Sequence, residues 1–128
     1  VQYEQGQSRI GKDLWSGYDL YYENSPLFFV PNVKTPVLIM HNDKDGAVPW
    51  YQGIEFFTAL RRCGKIAWLL QYNDEEHNLT QRKNAKDLSI RLSQFFDHYL
   101  KGAPAPKWMK EGRPATEKGF DLGYELVD

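Results

Sequence analysis

Apolar positions change their period several times along this 128-residue chain, and the changes mark its elements. Residues 1–24 mix Trp15, Tyr18, Leu20, Tyr21 and Tyr22 with polar groups in no clean period, and a short helical piece is expected around Asp19–Glu23. Ser25-Pro26 reads as a helix start, with Ser25 as N-cap and Pro26 where a missing N–H costs nothing. That turn should run through Phe29 and stop before Pro31. Val37-Leu38-Ile39-Met40 is apolar without alternation, which predicts a strand buried on both faces. From Val48 to Arg62 the period becomes helical: Trp50, Ile54, Phe57 and Leu60 share one face, Pro49 suits the first turn and Gly64 the position past the end. Ile66–Tyr72 predicts a second strand, and Asn73–Gln81 a polar loop. Leu88, Leu92, Phe95, Phe96, Tyr99 and Leu100 then recur at spacings of three and four, a long helix ended by Gly102 and Pro104. From Ala103 onward, scattered Pro, Gly and charge predict mostly irregular structure.

Strand, helix, strand, helix is a βαβ unit, so the strands should be parallel with a right-handed crossover. Two strands do not complete a sheet, and part of the fold should lie elsewhere. The chain opens on Val1, not methionine, and its polar first residues read as the interior of something longer. The expected organisation is a connecting segment over 1–34, a βαβα unit over 35–102 and a tail over 103–128.

Composition adds exclusions. With 41% hydrophobic and 26% charged residues the chain has a folded profile. Sixteen basic residues (Lys+Arg 16) against Asp+Glu 17 give a net charge of -1 and no basic stripe, so nucleic acid is not an expected partner. No apolar run is long enough for a membrane span. Cys63 is the single cysteine, too few for an intrachain disulfide, and reads as a small buried side chain near a helix end. The compartment cannot be read from it.

Candidate chemistry sits after the two strands, where doubly wound α/β sheets bind their ligands. The first loop, His41-Asn42-Asp43-Lys44-Asp45-Gly46-Ala47-Val48-Pro49, offers a carboxylate; the second, Asn73-Asp74-Glu75-Glu76-His77-Asn78, offers an imidazole. A histidine that takes a serine proton, oriented by an acid on its far nitrogen, is what acyl transfer needs. Asp45 before His77 follows the last two steps of the Ser, Asp, His order of α/β-hydrolases.

The segment Thr35 to Pro49 resembles the acid-loop motif of prolyl oligopeptidase-type serine peptidases, which include dipeptidyl and acylaminoacyl peptidases: a strand, His-Gly, two variable residues, the catalytic Asp, two more and Val-Pro. Asp45 matches the acid, and Asn42 stands where glycine is usual. Leu60–Lys65, Tyr72–His77 and Phe95–Gly102 are similar to the family as well, with His77 at its catalytic histidine. The resemblance implies an α/β-hydrolase fold, of which this chain would be the C-terminal portion with an incomplete sheet. It implies catalytic residues Asp45 and His77, a peptide substrate, a missing upstream part of the domain and a β-propeller. It implies no cofactor and no metal, and it leaves open homo-oligomers and any compartment.

The nucleophile is not here. The family's Gly-x-Ser-x-Gly is approached only by Gly6-Gln7-Ser8-Arg9-Ile10, which lacks the closing glycine and follows no strand; Ser16, Ser25, Ser89 and Ser93 lack the pattern too. The chain alone is expected to be inactive.

Blander readings stand beside these. Asp45 could be a turn residue in an Asn-, Asp- and Gly-rich loop, and His77 a solvated loop histidine. Asp43 reads as a loop acid, His41 as a structural hydrogen-bonder, His98 as solvated, and Trp50 by its spacing as core. Glu75 and Glu76 beside His77 suggest a metal, but no His-Glu-x-x-His or Cys cluster accompanies them. The rivals to a peptidase are another α/β-hydrolase, an esterase or acyltransferase, and a non-catalytic binding or scaffold module.

Overall fold

The computed structural model describes residues 2–128, so the first residue of the expected connecting segment lies outside the described residues. These divide into two compact units. One is drawn from the chain up to Val37 together with Glu55–Ala67, the other from Leu38–Ile54 and Trp68–Asp128.

In the first unit, helix α1 spans Tyr18–Glu23 and a 3-10 helix spans Pro26–Asn32. Ser25 is not a side-chain cap; its hydroxyl donates to the carbonyl of Tyr21 at 2.6 Å, a bond back into the preceding turn. The 3-10 turn also runs past Phe29 and through Pro31, contrary to the expected stop. A 3-10 turn needs only i to i+3 bonds, and Val33 N–H to Val30 C=O at 3.0 Å closes the last of them without the proline nitrogen. Val30 is buried in this unit, and Tyr22 stacks on Phe28 with ring centroids 5.1 Å apart. Cys63 is exposed, against the expectation of a buried thiol, because Leu60 takes the fully buried position at this end of the helix.

Strands β1 (Val37–Asn42) and β2 (Ala67–Tyr72) pair in one sheet, joined by helix α2 (Trp50–Arg62). Val37 N–H bonds Ile66 C=O at one end of the pair and Asp43 N–H bonds Tyr72 C=O at the other, so the strands run parallel. Strand β1 is two residues longer than its apolar run, and its last residue, Asn42, is buried. Val37 to His41 are half-buried, less than a strand covered on both faces would be. Helix α2 begins two residues later than its pattern suggests, because both backbone groups of Val48 are engaged elsewhere: its N–H by Asp45 and its carbonyl by His41.

Helix α3 spans Arg82–Lys101 and ends at Gly102, whose φ of 73° is left-handed, the conformation glycine adopts without strain. Phe95 is buried, whereas Phe96 and Leu100 are exposed, so the apolar stripe is wider than the core it meets. The tail differs most from expectation. Strands β3 (Ala105–Pro106) and β4 (Leu126–Val127) pair antiparallel, and helix α4 (Lys107–Glu111) follows β3 directly. Trp108, Met109 and Ala105 form the buried cluster with Phe95, and Leu38, Trp68, Leu70 and Tyr124 pack against it. Both indoles are satisfied: Trp68 donates to Met109 C=O at 2.9 Å, and Trp108 to Gln94 Oε1 at 2.8 Å. No helix among the described residues is long and apolar enough to cross a membrane.

Candidate active site

The acid loop leaves β1 and the histidine loop leaves β2 at the same end of the pair, as parallel strands require. Each loop is tied to the other before any imidazole is considered. Asp43 Oδ1 accepts Asp74 N–H at 2.9 Å, Lys44 N–H donates to Glu75 C=O at 3.1 Å, and Asn42 Nδ2 donates to Glu76 C=O at 2.7 Å. Lys44 and Asp74 add an exposed ion pair at 2.7 Å. Asp74 has a φ of 59°, a conformation that short polar side chains tolerate.

Asp45 divides its carboxylate between two tasks. Oδ1 accepts the N–H groups of Ala47 and Val48, both at 2.9 Å, and shapes the turn into α2. Oδ2 lies 3.0 Å from Nδ1 of His77. The Asp45 side chain is only 5% exposed, and that of His77 is 55% exposed. Burial pushes the Asp45 carboxyl up, but the bonds from Val48, His77 and Ala47 together outweigh it and hold the group below its ordinary value. An ionised carboxylate only accepts, so Nδ1 of His77 carries the proton and Nε2 of the neutral ring presents its lone pair.

His41 is the second imidazole on this carboxylate. Its Nε2 is 3.0 Å from Val48 C=O and 3.3 Å from Asp45 Oδ2, two acceptors, so Nε2 is the protonated nitrogen. Its ring lies against Gly53 of α2, where a Cβ would come within 2.4 Å of Nδ1. This is the structural hydrogen-bonding role expected of it. Trp50 is half-buried at the first position of α2. His98 is not simply solvated, since its Nδ1 pairs with Ala103 C=O at 2.8 Å where α3 ends.

Sequence reasoning missed Glu75. Grouped with Glu76 as a conceivable metal ligand, it is fully buried and engaged by Thr80, Gln81 and Asn84 at the head of α3. Among the described residues no three His, Cys, Asp or Glu side chains converge as a metal site. A cavity of about 190 Å³ lies in the tail, lined by Lys107, Glu111, Arg113, Glu117 and Asp121, and shares no residue with the Asp45–His77 pair. Gly6–Ile10 sits in turns and irregular backbone, and the described residues before it, 2–5, are turn rather than strand.

The model of the prolyl oligopeptidase family, Peptidase_S9, matches residues 2–103. The chain belongs to the prolyl oligopeptidase family. It is 32% identical over 95 residues to the uncharacterized peptidase YuxL of Bacillus subtilis, a match covering 72% of this chain and 14% of the relative. It is 37% identical over 65 residues to the acylamino-acid-releasing enzyme of Rattus norvegicus, covering 51% of this chain and 9% of that one. Among solved structures, the acylaminoacyl peptidase of Pyrococcus horikoshii superposes with a TM-score of 0.61 at 26% identity, over 81% of this chain and 15% of that one. The chain thus spans a small part of the length of the relatives it matches. Its helices and small parallel sheet are those of an α/β fold, as the α/β-hydrolase resemblance implied.

Proposed function

We propose that this chain is the C-terminal part of the catalytic domain of a longer serine peptidase, supplying Asp45 as the orienting acid and His77 as the proton shuttle. The serine and the oxyanion-hole donors come from upstream, so the piece alone is inactive. The observation that carries this reading is the 3.0 Å approach of His77 Nδ1 to a buried, ionised Asp45, in a family of peptidases. In the reaction, Nε2 of His77 takes the serine proton as Oγ bonds the peptide carbonyl carbon. The imidazolium then gives that proton to the leaving amine as the C–N bond breaks. Water repeats the sequence and frees the acid. Asp45 keeps its charge throughout and stabilises the imidazolium.

Peptides are the substrate class that relatives named acylamino-acid-releasing enzyme and dipeptidyl-peptidase support. A β-propeller upstream, restricting access to short peptides, completes the reading. In the full-length protein, His77→Ala should lower kcat on a peptide amide by several orders of magnitude. Asp45→Asn should cost on the order of 10⁴-fold, because an amide no longer selects the right tautomer. Near-normal hydrolysis by His77→Ala would refute the assignment, and a wild-type protein that cleaves esters but no amides would refute the peptidase part of it.

A further inference from the structure

Among the described residues His77 makes one side-chain hydrogen bond, and its side chain is 55% exposed. A single exposed bond does not fix an imidazole to the few tenths of an ångström that proton transfer demands. The loop backbone has to do so, and it has no helix or strand of its own. What holds it is a carboxylate two residues upstream. Glu75 is 0% exposed, and a buried charge is destabilising unless its oxygens are paired. They are fully paired. Oε2 accepts Thr80 N–H at 2.8 Å and the Thr80 hydroxyl at 3.0 Å. Oε1 accepts Gln81 N–H at 3.0 Å and Asn84 Nδ2 at 2.8 Å.

Every one of these donors is neutral. The partners are groups at the head of α3, where unpaired N–H groups and the helix dipole favour an anion. Led by the Thr80 N–H, these bonds overcome burial and hold the carboxyl down at about 2, so the charge persists at any working pH. They close a ring from residue 75 to residues 80 and 81, and His77 hangs from its middle. On the opposite side, the Glu75 carbonyl is held by Lys44 N–H, and the Glu76 carbonyl by Nδ2 of Asn42, itself 1% exposed. The peptide just ahead of His77 is anchored from both directions.

We propose that Glu75 is a positioning residue for His77, with Asn42 as its counter-anchor, the two fixing the point from which Nε2 reaches the nucleophile's proton. This rests on the reading of His77 as the proton shuttle. It makes a specific demand on the carboxylate. A glutamine in its place fills the same volume but turns an NH2 group toward donors. Asn84 can rotate its amide to meet it; the backbone N–H groups of Thr80 and Gln81 cannot. One backbone tether is lost, the ring loosens, and His77 shifts.

The test uses the full-length protein, with kcat expressed per site labelled to completion by a fluorophosphonate. A displacement near 1 Å costs on the order of 100-fold, so Glu75→Gln should lower kcat per labelled site by about 10- to 100-fold with KM unchanged. A merely structural role would lower the number of labelled sites and leave kcat per site intact. Asn42→Ala leaves all four Glu75 bonds in place and should lower kcat per site in the same way, so it decides the matter where Glu75→Gln yields no folded protein. His77→Ala is run beside them. If it is inactive while Glu75→Gln, or Asn42→Ala in its stead, keeps wild-type kcat per site, the positioning role is overturned and the shuttle stands. If His77→Ala is itself active, the shuttle reading fails, and the positioning role with it.

Discussion

Asp45 serves two structures with one carboxylate, and its neighbours show what that requires. The oxygen that turns the chain into α2 and the oxygen that faces His77 both depend on the loop staying closed, and His41 closes it by donating to Val48. The ring of His41 in turn needs the bare backbone of Gly53. Alanine is ordinarily the better helix residue by about 0.5–1 kcal/mol. At position 53 its methyl would meet His41 at 2.4 Å, so Gly53→Ala should destabilise by about 1–3 kcal/mol as overpacking does. Thermal denaturation checks this, and an unchanged or raised midpoint would contradict it. At this scale the sequence is legible in part. Asp45 and His77 stand out because each follows a recognisable strand with loop residues at motif spacing. Glu75 does not, because in Asn73-Asp74-Glu75-Glu76 no local pattern says which carboxylate turns inward; the deciding partners lie five to nine residues on, at the start of a helix.

Elements differ in how much of their role their own sequence carries. Helix α3 and the two parallel strands are readable because each carries its own local period or apolar run, although burial follows that pattern only in part: Phe95 is buried, Phe96 and Leu100 are exposed, and Val37 to His41 are half-buried. The tail is not readable, because its burial depends on partners far away in sequence. Trp108 is buried only because α3 presents Phe95 and Gln94 to it, and β4 is a strand only because Ala105 and Pro106 pair with it. Arg91 of α3 fastens the same region, its guanidinium lying 5.2 Å from the Trp108 ring centre and 5.1 Å from that of Tyr124 while it bonds Leu122 C=O. Its partner Asp87 also accepts the hydroxyls of Tyr72 and Tyr124, and burial followed by that carboxylate pushes the Tyr124 phenol up to about 12. Removing Trp108 should therefore cost as much as a central core residue. Trp108→Ala is expected to lower stability by about 3–5 kcal/mol, measured by chemical denaturation; a loss under about 1 kcal/mol, the range of surface substitutions, would show that the tail is peripheral.

For the molecule as a whole, three buried or half-buried carboxylates share one electrostatic direction. Glu75 is held at about 2 against an ordinary 4.5, and Asp45 and Asp87 lie below their ordinary 3.8. A carboxyl with a depressed folded-state pKa contributes stability above its unfolded value and loses it as pH falls through the folded one. Stability should then be level above the ordinary carboxylate range and decline as pH drops from 4.5 toward 2 for Glu75. Glu75→Gln should flatten that decline in an acid titration followed by circular dichroism, and an unaltered slope would contradict the assignment of charge to Glu75. The chain spans 14% of the length of its Bacillus subtilis relative, and the proposed reaction is that of a longer protein.

The most direct measurement is therefore made on the full-length protein: covalent labelling by a fluorophosphonate in the wild type and in His77→Ala. A serine activated by His77 predicts rapid labelling that collapses when the imidazole is removed. Equal labelling of both proteins would contradict it.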